Sequence, residues 1–209
     1  MRAAIALPAA AFNRPMRIPI FPLGTVLFPG GVLPLRIFET RYMDMTRACM
    51  KGDRPFGVCL IRSGSEVGAP AIPEPVGCLA HITDWDMQQL GVLHLKTRGG
   101  QRFRIIAAEP DSQGLVWAQI ELIDPEQASS VPSAYATCTR LLARVIEERG
   151  SSAYARPLEP DNAAWVGFRL AEILPLAPAT RQQLLELGDS LARLAMLQQF
   201  LEQLGLAAR

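Results

Sequence analysis

The sequence predicts an α+β fold: a β-rich front half carrying one inserted helix, followed by a bundle of helices. Three observations carry this. From Arg17 to Asp124, short apolar runs are separated by Gly and Pro punctuation, the pattern of a sandwich or barrel. Within that region only one stretch, residues 39–51, repeats its apolar residues at helical spacing. Beyond the polar, Pro-bounded stretch DPEQASSVP (124–132), everything reads helical.

Strands are expected at residues 17–21, 32–37, 56–62, 76–85, 92–98, 102–108 and 115–123. Between the first two lies FPLGTVLFPGG, whose prolines and glycines demand tight turns and edge positions. In the inserted helix Tyr42, Met45 and Cys49 form a stripe, and Gly52 is the expected stop. Residues 63–75, rich in Gly, Pro and Ser, read as a loop. Gly99-Gly100 reads as a tight turn joining two consecutive strands into a hairpin.

In the second half, residues 133–148 carry Leu141, Leu142, Val145 and Ile146. Asp161 is expected to cap a helix bearing Trp165, Phe168, Leu170 and Ile173. Thr180 and Gln183 match a capping box for a short helix to Leu187. Asp189 is expected to cap a last helix whose stripe is Leu191, Leu194, Leu197, Leu201 and Leu204. The implied organisation is a leader (1–16), a β-rich domain (17–124), a linker (125–132) and a helical bundle (133–209). The leader reads as disordered, with Met16 an alternative start; the rival reading, a signal peptide, is a weaker match because its apolar run is broken by Pro8 and at the short limit.

Composition narrows the function. The 21 basic and 20 acidic residues nearly cancel, so no strong global field favours nucleic acid or an anionic membrane. No stretch approaches the ~20 apolar residues of a membrane span. The four cysteines sit in apolar runs without a CxxC, which suits buried thiols in a reducing cytoplasm rather than a disulfide framework. Cys78 and His81 lack the second close pair that a zinc site needs. On one strand, positions three apart face opposite ways, so these two cannot form a nucleophilic dyad. Neither lysine, Lys51 or Lys96, follows a glycine, so there is no phosphate-binding G-x-x-x-x-G-K-[ST] loop. No G-x-S-x-G elbow occurs either. Neither a cofactor nor a metal is expected.

The run IPIFPLGTVLFPGGVLPLRIFETRY, Ile18 to Tyr42, closely resembles the opening of the Lon N-terminal domain family. Phe21, Pro22, Leu23, Val26, Leu27, Phe28, Pro29 and Gly30 fall on its first strand and turn. Pro34, Leu35, Arg36, Ile37, Phe38, Glu39, Arg41 and Tyr42 fall on its strand-to-helix junction. Val76 to Ala80, Gly100 to Ile105, Leu170 to Leu176, Arg181 to Glu186 and Arg193-Leu194 are similar to its later parts, so the resemblance runs along nearly the whole chain from Arg17. It implies a PUA-like β pseudo-barrel followed by a helical bundle. It also implies a role in recognising unfolded or extended polypeptides, with a separate protease as a candidate partner. The family's Ser-Lys protease dyad lies in a separate later domain.

Three groups of residues are candidate sites. Leu23, Val26, Leu27 and Phe28 are unusually apolar for a turn-rich segment. If they cannot all point inward, they form an exposed patch for peptide capture; the alternative is core and barrel closure. His94, Lys96, Arg98, Arg102 and Arg104 would gather on one face of the expected hairpin as polar or anion contacts, or else as a solvated strand face. Some PUA-like folds bind RNA, but no aromatic platform is interleaved with these cations. Arg36, Glu39, Arg41 and Tyr42 form a junction that either pins the helix to the sheet by an ion pair or holds a carboxylate. The leading expectation is a non-catalytic polypeptide-binding module. The rivals are a small-molecule enzyme with its site in the inter-domain cleft and an RNA-binding protein.

Overall fold

The structure is a computed structural model that describes residues 16–206. The expected leader, apart from Met16, lies outside the described residues. Among those residues there are seven strands and five α-helices: β1 (Met16–Leu23), β2 (Val32–Ile37), α1 (Thr40–Gly52), β3 (Phe56–Ser63), β4 (Ile72–Pro73), β5 (Val76–Gln89), β6 (Val92–Pro110), β7 (Val116–Leu122), α2 (Ala136–Arg149), α3 (Ala163–Ile173), α4 (Pro178–Glu186) and α5 (Ser190–Gln203).

The strands close on themselves. β1 pairs antiparallel with β7 and parallel with β3, and antiparallel pairings of β3 with β5, β5 with β6 and β6 with β7 complete the ring. This is the expected pseudo-barrel, in an α+β architecture. Closure pairs strand edges around the ring that would otherwise template aggregation, while β2 lies outside it and pairs with β6 alone. β1 is buried on both faces: Ile18 and Ile20 join Phe103, Val116 and Ile120, while Phe21 and Leu23 pack with Tyr42, Met45 and Cys49 of α1.

The expected hairpin at Gly99-Gly100 does not form. Residues 92–110 are one 19-residue strand that runs straight through both glycines. A Cβ on Gly99 would collide with the Phe28 carbonyl. Gly99 therefore lets the 28–31 turn seat on the middle of β6, where its N–H donates to Gly31 O and Gly30 N–H donates to Gly99 O, each at 2.8 Å, while Gly100 makes room for the His81 ring. A glycine in a strand here marks close backbone approach and not a turn. β2 pairs with the first part of β6 (Val32↔Arg98 to Ile37↔Leu93) and β7 with the second.

The helix ends differ from expectation by a residue or two. α1 stops at Asp53, which takes the left-handed conformation (φ 46°) instead of Gly52, and its N–H closes on Cys49 O and Met50 O. The cap of α3 is Asn162, whose side chain accepts from Ala164 and Trp165 N–H; it is not Asp161. α4 opens with Pro178 in its first turn, with Ala177 at the cap, so the Thr180 box is not formed. Asp189 does cap α5, accepting from Leu191 and Ala192 N–H.

One of the buried cores is shared by barrel and helices. Val26, Phe28, Leu60 and Val76 pack among Leu142, Val166, Phe168, Leu170, Leu184 and Leu197. At its centre lies an ionic cluster. Glu126, from the connecting segment, pairs with Arg102 of β6 at 2.9 Å and accepts two bonds from Arg193 of α5 at 2.9 and 2.5 Å. All three side chains are at most 6% exposed. The two guanidinia also cap the end of α4. Arg102 donates to Leu185 O and Leu187 O, and Arg193 to Leu184 O and Leu187 O. These are the carbonyls that a helix C-terminus leaves without intrahelical partners, and cations suit that end of the helix dipole. Arg193 stacks 3.9 Å from the Phe168 ring centroid.

Removing Glu126 would leave two buried guanidinia without a countercharge. Glu126→Ala is expected to cost about 3–5 kcal/mol of unfolding free energy, the range for one partner lost from a buried pair. Arg144→Ala, which removes an exposed pair with Glu148, is expected to change it by less than ~1 kcal/mol. Urea denaturation of the two variants checks the contrast.

Candidate functional site

The expected apolar patch in FPLGTVLFPGG is not on the surface. Leu23, Val26, Leu27 and Phe28 are all buried, Phe28 completely. The segment turns between two cores and feeds both. Leu23 and Leu27 enter the cluster shared with α1, whereas Val26 and Phe28 enter the helical core, Phe28 lying 5.7 Å from Phe168 between ring centroids. Sharp turning therefore does not force any of the four outward.

The expected basic group is also dispersed. Arg102 is buried in the ionic cluster and is no anion contact. His94, Lys96 and Arg98 are exposed, but the register sets Asp86 opposite His94 and Asp84 opposite Lys96. Arg104, exposed farther along the strand, lies opposite Glu121. The face is one of mixed charge.

The junction is resolved as an ion pair. Arg41 bonds Glu39 at 2.9 Å, donates to Gly114 O at 2.9 Å and lies over the Tyr42 ring, which in turn stacks on Phe21 at 4.1 Å. Burial raises the Tyr42 pKa, with Arg41 opposing. Arg36 takes no part in that pair and stands exposed on β2.

Beside this junction is a groove of about 360 Å³ that sequence reasoning did not find. Its wall is the edge of β2; among the described residues β2 pairs with β6 alone, which leaves the other edge open. Phe21, Leu23, Leu35, Ile37 and Tyr42 floor it, and the 64–70 loop closes the far side. Glu66 pins that loop by accepting a 2.6 Å bond from Gly24 N–H. Two large apolar side chains stand at the rim, Phe38 (53% exposed) and Val67 (57% exposed). An open strand edge beside an apolar trough is the geometry that accepts an added strand.

A second cavity, about 250 Å³, opens where barrel and helices meet, and it shares Thr25 and Leu33 with the groove. Arg149, Tyr154, Arg169, Glu172 and Arg181 line it. Arg169, 1% exposed, bonds Pro29 O at 2.7 Å and Glu172 at 2.8 Å. The turn that receives it needs glycine twice. Gly30 has φ +72°, and a Cβ on Gly31 would strike the Glu172 carboxylate. The cavity holds one carboxylate, and no histidine or cysteine lines it. The four cysteines are free and buried, and burial pushes the thiols of Cys59 and Cys78 well up. No group of three or more potential metal ligands occurs among the described residues, and no helix there is long and apolar enough to cross a membrane.

Removal of the Glu172 carboxylate from water raises its pKa from the usual 4.5 to about 7, against the opposing pull of Arg169 and Arg181. The folded chain thus holds this proton more tightly than the unfolded chain. The associated stability is complete below about pH 4.5 and is lost as pH rises through about 7. A carboxyl-carbon NMR titration should give a midpoint near 7, and the stability of the wild type relative to Glu172→Gln should fall across that window. A midpoint at or below 4.5 would contradict the assignment.

Comparison with known proteins agrees with this architecture. Residues 17–203 match the ATP-dependent protease La (LON) substrate-binding domain. The chain is 30% identical over 203 residues to Lon protease 2 of Herpetosiphon aurantiacus, covering 90% of this chain and 24% of that protein. It is 28% identical over 121 residues to protein cereblon of Gallus gallus, covering 56% of this chain and 26% of that protein. It thus spans about a quarter of the length of these relatives. Among solved structures it superposes on the Lon N-terminal domain protein from Xanthomonas campestris with a TM-score of 0.74 and 35% identity, covering 87% of this chain and 96% of that one. The N-terminal domain of Mycobacterium avium complex Lon protease shares the fold (TM-score 0.60, 17% identity, 87% and 96% coverage). A closed barrel welded to a helical half, matched from end to end of the described fold, makes this chain a member of the Lon substrate-binding domain family.

Proposed function

We propose that this chain is a non-catalytic polypeptide-binding module that holds extended, non-native protein along the open edge of β2, and that it serves as an adaptor delivering such clients to a separate protease. The observation that carries this is the open edge with an apolar trough beside it and Phe38 and Val67 exposed at its rim. Main-chain hydrogen bonds to the edge supply affinity that is indifferent to sequence, and the trough takes alternate apolar side chains of the incoming strand. Folded proteins keep such segments paired and buried; unfolded ones expose them. Family membership supports the same reading. The buried free thiols suit a reducing compartment such as the cytoplasm.

The enzyme reading lacks the two facing carboxylates or the Cys–His contact that would favour it in the inter-domain cavity. The RNA reading loses Arg102 to the core and meets Asp84 and Asp86 beside the remaining cations. A rival binding surface is the β5–β6 tip, where Trp85, Met87 and Leu90 are exposed.

A permanently unfolded casein-like protein, titrated while the fluorescence of Trp85, Trp117 and Trp165 is followed, should bind saturably in the micromolar range. Phe38→Asp and Val67→Asp, both at exposed positions, should each weaken binding about tenfold, the effect of losing one well-packed apolar contact. Leu90→Asp should leave it unchanged. A loss confined to Leu90→Asp would move the site to the β-hairpin tip, and no saturable signal would refute the reading.

A further inference from the structure

We infer that the arginine-lined cavity at the barrel–helix junction receives the C-terminal carboxylate of a polypeptide lying antiparallel to β2. The inference rests on the groove reading above and adds an orientation and an end to it.

Continuity is the first argument. The cavity and the groove share Thr25 and Leu33, and the cavity reaches Val32, the first residue of β2, while the groove follows β2 onward to Phe38. A strand added antiparallel to β2 runs from the Phe38 end to the Val32 end, so its C-terminus arrives at the cavity. Six residues of strand span roughly 20 Å, which matches the length of β2.

Charge is the second. Three arginines face one acid in the cavity, Arg149, Arg169 and Arg181 against Glu172. The groove has no such excess: Arg36 stands there with Glu66 and with Glu39, which Arg41 already pairs. The positive end is where a carboxylate would sit.

The third is unspent hydrogen bonding. The Nε atoms of Arg169 and Arg181 and the hydroxyl of Tyr154 are buried with no hydrogen-bond partner among the described residues. Arg169 is the strongest case, because its whole side chain is 1% exposed yet lines the cavity. A buried guanidinium N–H left without an acceptor is costly, and a carboxylate, with two acceptor oxygens, matches guanidinium geometry. Glu172 spends only part of this capacity, through its bond to Arg169. It also titrates near neutrality, which weakens the one competing negative charge facing Arg169, Arg181 and Tyr154.

The test uses the full chain and a six-residue alternating valine–alanine peptide with an N-terminal fluorophore, made once with a free C-terminal carboxylate and once as the amide. Fluorescence anisotropy should show the acid binding about tenfold more tightly than the amide, the step expected when charge-assisted hydrogen bonds are lost. Arg149→Ala, at an exposed position, should shrink that preference without changing the affinity of the amide, and Arg149→Lys should restore most of it. Equal binding of acid and amide by the wild type, or an undiminished preference in Arg149→Ala, would overturn the inference. If the amide still binds and Phe38→Asp still weakens it, the groove reading survives that failure; if neither peptide binds, both fall. Binding of free N-acetylglycine as tight as that of the acid peptide would assign the cavity to a small carboxylate instead, and would equally overturn the chain-end assignment.

Discussion

Three side chains from distant parts of the sequence, Arg102, Glu126 and Arg193, meet in the interior with no more than 6% of any of them exposed. Each belongs to a different part: the barrel, the connecting segment and the last helix. Their bonds also close off the C-terminal carbonyls of α4. A buried cluster of this kind is a poor source of net stability, because desolvation cancels much of the attraction, but it tolerates very few alternative arrangements. Its effect here is to fix how the helices sit on the barrel. Other bonds follow the same division of labour. Gln182 reaches Val76 O, Arg169 reaches Pro29 O, and Ala163 N–H closes on Ser129 O. The cavity at the barrel–helix junction and the Val32 end of the groove therefore have walls held in place by buried polar contacts.

Against that fixed frame, β2 pairs on one side only among the described residues, with β6. Such an edge invites pairing with other copies, and the sequence moderates the risk. The strand has only six residues, Pro34 lacks an N–H to donate, and exposed Arg36 puts a charge on it. These features limit affinity as well as aggregation. A short edge with an apolar trough offers few hydrogen bonds and little sequence preference, which suits the proposed capture of varied non-native chains.

Much of the architecture was legible because it depends on local periodicity. The position of β2, the apolar stripe of α1, the Asp189 cap and the change to helices after the Pro-bounded segment all follow from neighbours within a few residues. The failures share a different cause. Gly99-Gly100 carries the local signature of a turn, yet its role is set by the Phe28 carbonyl some seventy positions earlier in the chain. FPLGTVLFPGG reads as too apolar for its turns because nothing local reveals the two cores that flank it. Arg102 read as one of a row of surface cations because its partner, Glu126, sits in a stretch that looks like plain linker. A signal for the cavity and the ionic cluster was nonetheless present. Arg169 falls between Phe168 and Leu170, and Arg193 between Ala192 and Leu194, so each is an arginine embedded in an apolar helical run. Such a residue needs a buried acceptor, and asking where that acceptor lies would have led to Glu172, Glu126 and the carbonyls of Pro29 and α4.

The claim at the centre of this account is that non-native polypeptide is held along the open edge of β2. Amide hydrogen exchange of the chain with and without saturating unfolded casein-like protein reads that edge directly. Added protection is expected in residues 32–38 and in the 64–70 loop, with the β5–β6 tip at residues 85–91 unchanged. Protection that appears at the tip while residues 32–38 exchange as fast as in the free protein would contradict it.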